Sequence, residues 1–179
     1  GARLWNASVA TGIPEADFVK GMDSVSVCFS KGLGAPIGSA LVGSREFIEE
    51  ARRIRKRMGG GMRQAGIVAA GALYALKNHR DRLAHDHRNA KLLATGLVDV
   101  PGIQMNPESV ETNIVRINLV QPNAAEWITH LKTLGVGVVP LGASAIRAVA
   151  NMRVTEQDID KAIEAFQQCS QHIQTDSQP

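Results

Sequence analysis

The chain has 179 residues, a formal net charge of +3, 44% apolar residues and only 4% aromatic ones. That length and apolar content suit one core, or a core with a small appended lobe, resting on aliphatics and alanine. No apolar run reaches the roughly 18 residues of a membrane-spanning helix, and Gly1-Ala2-Arg3-Leu4-Trp5 lacks the charged-then-apolar order of a signal peptide.

Gly1 to Ala7 reads as the exit of a strand into a loop, and Pro14 to Val19 as a short helix with proline in its first turn. Asp23 to Phe29 and Ile37 to Val42 read as strands. Ser44 is a predicted N-cap for a helix that runs to Arg57 and ends at Gly59-Gly60-Gly61. The alanine-rich stretch from Gln64 to Leu76 reads as a buried helix, with Arg63 at its start, and His79 to Leu97 as a charged one. Gln104 to Glu111 reads as loop or edge strand, while Asn113 to Leu119 alternates as a half-buried strand does. Ala124 to Leu134 is a predicted helix ended by Gly135, followed by short strands at Val136 to Val139 and Ile146 to Val149. Thr155-Glu156-Gln157-Asp158 has a capping-box pattern, and Ile159, Ala162, Ile163 and Phe166 form an apolar stripe behind it. From Gln167 the chain turns polar, and 167–179 reads as a disordered tail.

Cys28 and Cys169 fit no metal spacing. They predict one thiol buried in a strand and one near the surface of a helix, in a reducing, cytoplasmic compartment. The five histidines show no metal pattern, and His79, His85 and His87 read as a solvated helix face. No metal is expected. The basic run Arg52-Arg53-Ile54-Arg55-Lys56-Arg57 lacks interleaved aromatics and follows Glu46, Glu49 and Glu50 on one predicted helix. Acid first and base last complements the helix dipole, so no nucleic-acid partner is expected, and no membrane either.

The chemistry-bearing stretch is Ser30-Lys31-Gly32-Leu33-Gly34-Ala35-Pro36, a glycine-rich turn between the first two predicted strands. A lysine shielded from solvent there loses proton affinity and becomes the neutral amine that attacks carbonyls. Local chemistry alone leaves an ordinary turn lysine as the commoner reading. Arg63, beside three glycines and a helix start, suits an anion. Arg147 lies between apolar neighbours in a predicted strand and is either on a solvated face or bound to something.

Gly1-Ala2-Arg3, the lysine turn, Gly38-Ser39 and Gly59-Gly60-Gly61-Met62-Arg63-Gln64 occur in the order and spacing that resembles the low-specificity L-threonine aldolases. The pattern continues more weakly to about residue 166. The resemblance implies an α/β chain of the aspartate-aminotransferase fold. Residues 1–90 would be the C-terminal part of the pyridoxal-phosphate (PLP) domain, and 91–166 a small α+β domain. It implies that Lys31 carries the PLP covalently, and that Arg3 lies beside the cofactor ring and the substrate carboxylate. Lys56 and Arg63 would lie at the active site and serve a neighbouring subunit's cofactor in a homodimer or homotetramer. Arg147 would fork onto the substrate α-carboxylate, as a planar guanidinium can and an ammonium cannot. One departure stands beside it: the family usually has Thr-His after this arginine strand, and this chain has Ala150-Asn151.

In the family an aspartate precedes Gly-Ala-Arg, and this chain opens at the glycine. The resemblance therefore implies the C-terminal portion of a longer enzyme. The implied reaction is retro-aldol cleavage of a β-hydroxy-α-amino acid, such as threonine, to glycine and an aldehyde, in threonine catabolism and glycine biosynthesis. The alternatives are another PLP lyase that eliminates at the β-carbon, or a non-catalytic remnant.

Overall fold

The structure is a computed structural model that describes residues 1–176. The chain divides into two compact units, Gly1–Leu83 and Ala84 onward. Both result from apolar spacing, and each has its own core.

In the first unit, α1 (Leu4–Thr11) replaces the expected strand exit. Trp5 and Val9, one helical turn apart, pack on Leu33, Ala35, Ala72, Ala75 and Leu83, and that burial selects the helix. The short helix α2 (Glu15–Phe18) forms as predicted. Strands β1 (Ser24–Cys28) and β2 (Ser39–Gly43) pair antiparallel, with Ser24 opposite Gly43 and Cys28 opposite Ser39. A ten-residue loop joins them. Helix α3 (Arg45–Arg57) starts on the predicted cap: the Ser44 hydroxyl accepts the Phe47 N–H at 3.2 Å. Helix α4 (Gly66–His79) then runs three residues past its predicted end.

The break after α4 has an electrostatic anchor. Arg80 donates to the Glu15 carboxylate at 2.6 Å and to the Ser8 hydroxyl at 3.0 Å, fastening the end of α4 to α1 and α2. The Arg80 hydrogen bond holds the Glu15 carboxyl below its usual 4.5, partly opposed by burial. A depressed carboxyl stabilises the fold above the unfolded value and loses that contribution as pH falls through the folded value. Glu15→Gln is therefore expected to lower stability at pH 7 by roughly 1 kcal/mol, since the pair is partly exposed. The gap between the two proteins should close as the pH drops below 4.5. Thermal melts across that range check it.

In the second unit, α5 (Leu83–Gly96) contributes Ala90, Leu93 and Ala94 to the core, with Leu97 just beyond its end. The division thus falls at 83/84 rather than at the expected 90/91, because α5 packs with the strands and helices C-terminal to it. A four-stranded antiparallel sheet has the order β3 (Ile103–Gln104), β4 (Ile114–Leu119), β6 (Ala145–Val149), β5 (Val139–Pro140). The fifth strand forms at the end of the predicted 136–139 stretch, because the chain through Gly135 and Val136 is used to close the preceding helix. That helix is α6 (Ala124–Thr133). Its end is sealed by two backbone bonds, Gly135 N–H to Lys132 C=O at 3.1 Å and Val136 N–H to Leu131 C=O at 2.9 Å.

Helix α7 (Glu156–Asp176) overturns the predicted tail over residues 167–176. The apolar spacing continues past Phe166 through Cys169 to Ile173, all buried, so the polar residues between them form only the outer face. Residues 177–179 lie outside the described residues. The predicted cap is present: the Thr155 N–H donates to the Asp158 carboxylate at 2.9 Å, and the Asp158 N–H donates back to the Thr155 hydroxyl at 3.3 Å. The two cysteines exchange their expected places. Cys169 is fully buried, which pushes its thiol up to about 12, whereas Cys28 is half-buried.

Candidate active site

The loop between β1 and β2 is held by buried side chains and by several backbone hydrogen bonds. Leu33 and Ala35 are its buried anchors, with Leu33 wholly inaccessible. Phe29 N–H donates to Gly38 C=O at 3.0 Å, Ala35 N–H to Phe29 C=O at 3.0 Å, and Gly34 N–H to Lys31 C=O at 2.8 Å. Trp5 reaches over from α1, donating its indole N–H to Cys28 C=O at 3.1 Å and stacking on Phe29 at 6.2 Å. The His79 Nδ1 bonds the Leu33 carbonyl at 2.7 Å. Only a protonated Nδ1 can bond a carbonyl, so this nitrogen carries the hydrogen. His79 is therefore not part of a solvated face: it ties the end of α4 to the lysine loop.

Gly32 is required here by close approach. A Cβ at this position would lie 2.8 Å from the buried Asn6 Oδ1 and 2.8 Å from the Leu83 Cδ2. Gly32→Ala should destabilise the first unit by roughly 1–3 kcal/mol, the usual cost of overpacking. Urea denaturation followed by circular dichroism measures this. An unchanged midpoint would mean that the loop is not held against α1.

Lys31 itself is exposed, contrary to the expectation of a shielded amine. The reason is local: Leu33 and Ala35 take the inward positions, and the lysine is left at the outer part of the turn. It has no acid partner among the described residues. Arg3 is half-buried at the start of α1. Through Trp5 and Asn6 that helix contacts the lysine loop, so Arg3 and Lys31 belong to one braced assembly.

Lys56 lies in the last turn of α3 and Arg63 in the α3–α4 connection, and both are exposed. Two of the three glycines between them close α3, with Gly60 N–H donating to Arg55 C=O at 2.8 Å and Gly59 N–H to Lys56 C=O at 3.2 Å. Gly59 has φ 77°, the left-handed cap that this paired bonding needs. The Lys56 side chain lies over Gly61, where a Cβ would be 3.1 Å from its Cδ. Arg63 precedes α4 by three residues rather than starting it. Gln64 behind it takes φ 53°, a left-handed backbone uncommon outside glycine.

Arg147 is in the second unit, on β6, opposite Arg116 of β4 and Val139 of β5. Its Nε is buried with no hydrogen-bond partner among the described residues. Sequence reading missed His79, Asn6 and Arg116. The first two act across 46 and 26 residues of chain, which no local pattern reports. For Arg116 the alternation of β4 did give the face, and only the strand register gives the neighbour.

A family model described as beta-eliminating lyase matches residues 1–119. The chain belongs to the beta-eliminating lyase family. Among curated members similar to it, low-specificity L-threonine aldolase 1 of Arabidopsis thaliana is 44% identical over 99% of this chain and 50% of its own length. The low specificity L-threonine aldolase of Escherichia coli K12 is 39% identical over 89% of the chain and 46% of its own. The chain thus spans about half the length of these relatives. Two solved structures share its α/β fold. A provisional L-allo-threonine aldolase from Listeria monocytogenes EGD-E has a TM-score of 0.76 at 21% identity, over 94% of this chain and 50% of that one. Sphingomonas wittichii serine palmitoyltransferase has 0.69 at 22%, over 90% and 42%.

Proposed function

We propose that the whole protein is a PLP-dependent aldolase that cleaves L-threonine and L-allo-threonine to glycine and acetaldehyde. The carrying observation is Lys31: an exposed amine without an acid partner, on a loop pinned by buried Leu33 and by His79. Identities of 44% and 39% with proteins named threonine aldolases support it.

The residues fit the cofactor. Lys31 holds it through its ε-amine, which reacts as the neutral form. Lys56 and Arg63 are cations with no acid partner among the described residues, and they suit its phosphate, reached from a neighbouring subunit of a homo-oligomer. Bound PLP supplies the electron sink that makes Cα–Cβ cleavage feasible. Arg147 takes the substrate α-carboxylate. Its orphaned buried Nε is the donor that a carboxylate oxygen satisfies. In the first unit, Arg3 supplies a positive charge at the start of the helix that braces the lysine loop. Free Cys28 and Cys169 support a reducing, cytoplasmic setting. Among the described residues no helix is long and apolar enough to cross a membrane.

The test is to mix the chain with PLP, reduce with borohydride and map the label, then assay L-threonine and L-allo-threonine for acetaldehyde and glycine. A label on Lys31 with both products supports the proposal. The family description favours β-elimination as a second reading. That chemistry would yield 2-oxobutanoate and ammonia from threonine, and those products would replace the aldolase assignment.

A further inference from the structure

We propose that Arg116 and Arg147 form one dianion site on the sheet of the second unit, selective for a dicarboxylate. The two residues are directly opposed in the β4–β6 register. Directly opposed residues of an antiparallel pair point to the same face, with Cβ atoms about 5 Å apart. The burial pattern agrees: Val115, Ile117 and Leu119 of β4, and Ile146 and Ala148 of β6, enter the core, while Arg116 is exposed on the other face and Arg147 is half-buried. Two guanidiniums side by side repel, and like charges directly opposed destabilise a sheet.

No acid among the described residues offsets them. The strand positions registered around them on that face are Gln104, Asn118, Ala145, Val139, Ile114 and Val149. Among the described residues neither arginine has a carboxylate partner. What the structure supplies instead is orientation. Asn118, two residues along β4 on the same face, accepts from the Arg116 Nε at 3.0 Å through its Oδ1. That fixes the guanidinium and leaves its two terminal nitrogens for a ligand. The Arg147 Nε is buried and unpartnered. Two positive forks, one oriented and one with an orphaned donor, match a ligand bearing two negative groups better than one.

As a statement about substrate this rests on the aldolase reading: the single carboxylate of threonine would engage Arg147 alone, and Arg116 would favour a β-hydroxy-α-amino acid that carries a second acidic group. As a statement about binding it stands alone. The experiment is calorimetric titration of the 179-residue chain with malonate and with acetate at low ionic strength, where surface charge is least screened. Malonate is expected to bind about tenfold or more tightly than acetate, the scale of one further charge-assisted hydrogen-bond pair. Arg116→Gln should bring malonate down to the affinity of acetate. Arg116→Lys, with its charge but without its fork, should fall between. Circular dichroism confirms that the variants keep the fold, as expected for an exposed position. Equal affinities in the unaltered chain, no binding of either, or a malonate preference that survives Arg116→Gln would overturn the proposal. Neither cofactor nor amino acid enters the titration. A failed threonine assay therefore leaves this site standing, and a failed titration leaves the aldolase reading standing.

Discussion

Replacing Lys31 with alanine is expected to abolish covalent attachment of PLP. The reason is chemical. Attachment needs a primary amine, and alanine has none. Other lysines are exposed, Lys20 and Lys56 among them, so total uptake of label is a poor readout. The measurement is borohydride reduction followed by peptide mapping. The peptide containing residue 31 should carry the label in the unaltered chain and lose it in Lys31→Ala, while trace labelling elsewhere stays as it was. Gly32, Leu33 and Ala35 supply the packing of this loop, so removing the exposed lysine leaves its anchors in place. Retained specific labelling in the variant would refute the assignment of Lys31. Threonine cleavage, where present, should fall to background with the label.

The largest loss of stability is expected from Trp127→Ala. Trp127 is 1% exposed on the inner face of α6, and its ring centroid is 6.1 Å from that of the wholly buried Phe166 of α7. Leu131, one turn along the same helix, is also fully buried. Removing the indole leaves a void where two helices meet, and such a truncation costs roughly 3–5 kcal/mol. With aromatics so scarce, no neighbouring ring takes its place. Urea denaturation followed by far-UV circular dichroism would show the midpoint shift. A change below about 1 kcal/mol, the range of surface substitutions and small repacking, would mean that α6 and α7 are not packed through this pair.

Much of the fold was legible because its signals are local. The Ser44 cap, the acid-to-base order of α3, the Gly135 stop and the Thr155–Asp158 cap each involve groups within a few residues of one another. The alternation over 113–119 likewise reported which β4 residues enter the core. The lysine turn and the Gly59-Gly60-Gly61 stretch were recognisable for the same reason. Motif spacing is a property of the chain, and so is the family resemblance it carried.

What the sequence misplaced was decided at a distance. Gly1 to Ala7 read as the exit of a strand into a loop until the cluster around Leu33 gave Trp5 and Val9 of α1 a surface to cover. The stretch from 167 looked like a tail because its composition is polar, yet Cys169 and Ile173 continue the stripe of Phe166 onto the core. Lys31 looked shielded, but its neighbours Leu33 and Ala35 occupy the inward positions. The sequence by itself determined most of the element types, the caps of α3 and α7, the Gly135 stop and the place of the lysine turn, all set by short-range sterics and hydrogen bonding. Only the tertiary structure decided that His79 braces the lysine loop and that Arg116 stands beside Arg147. Both depend on packing and strand register between segments tens of residues apart.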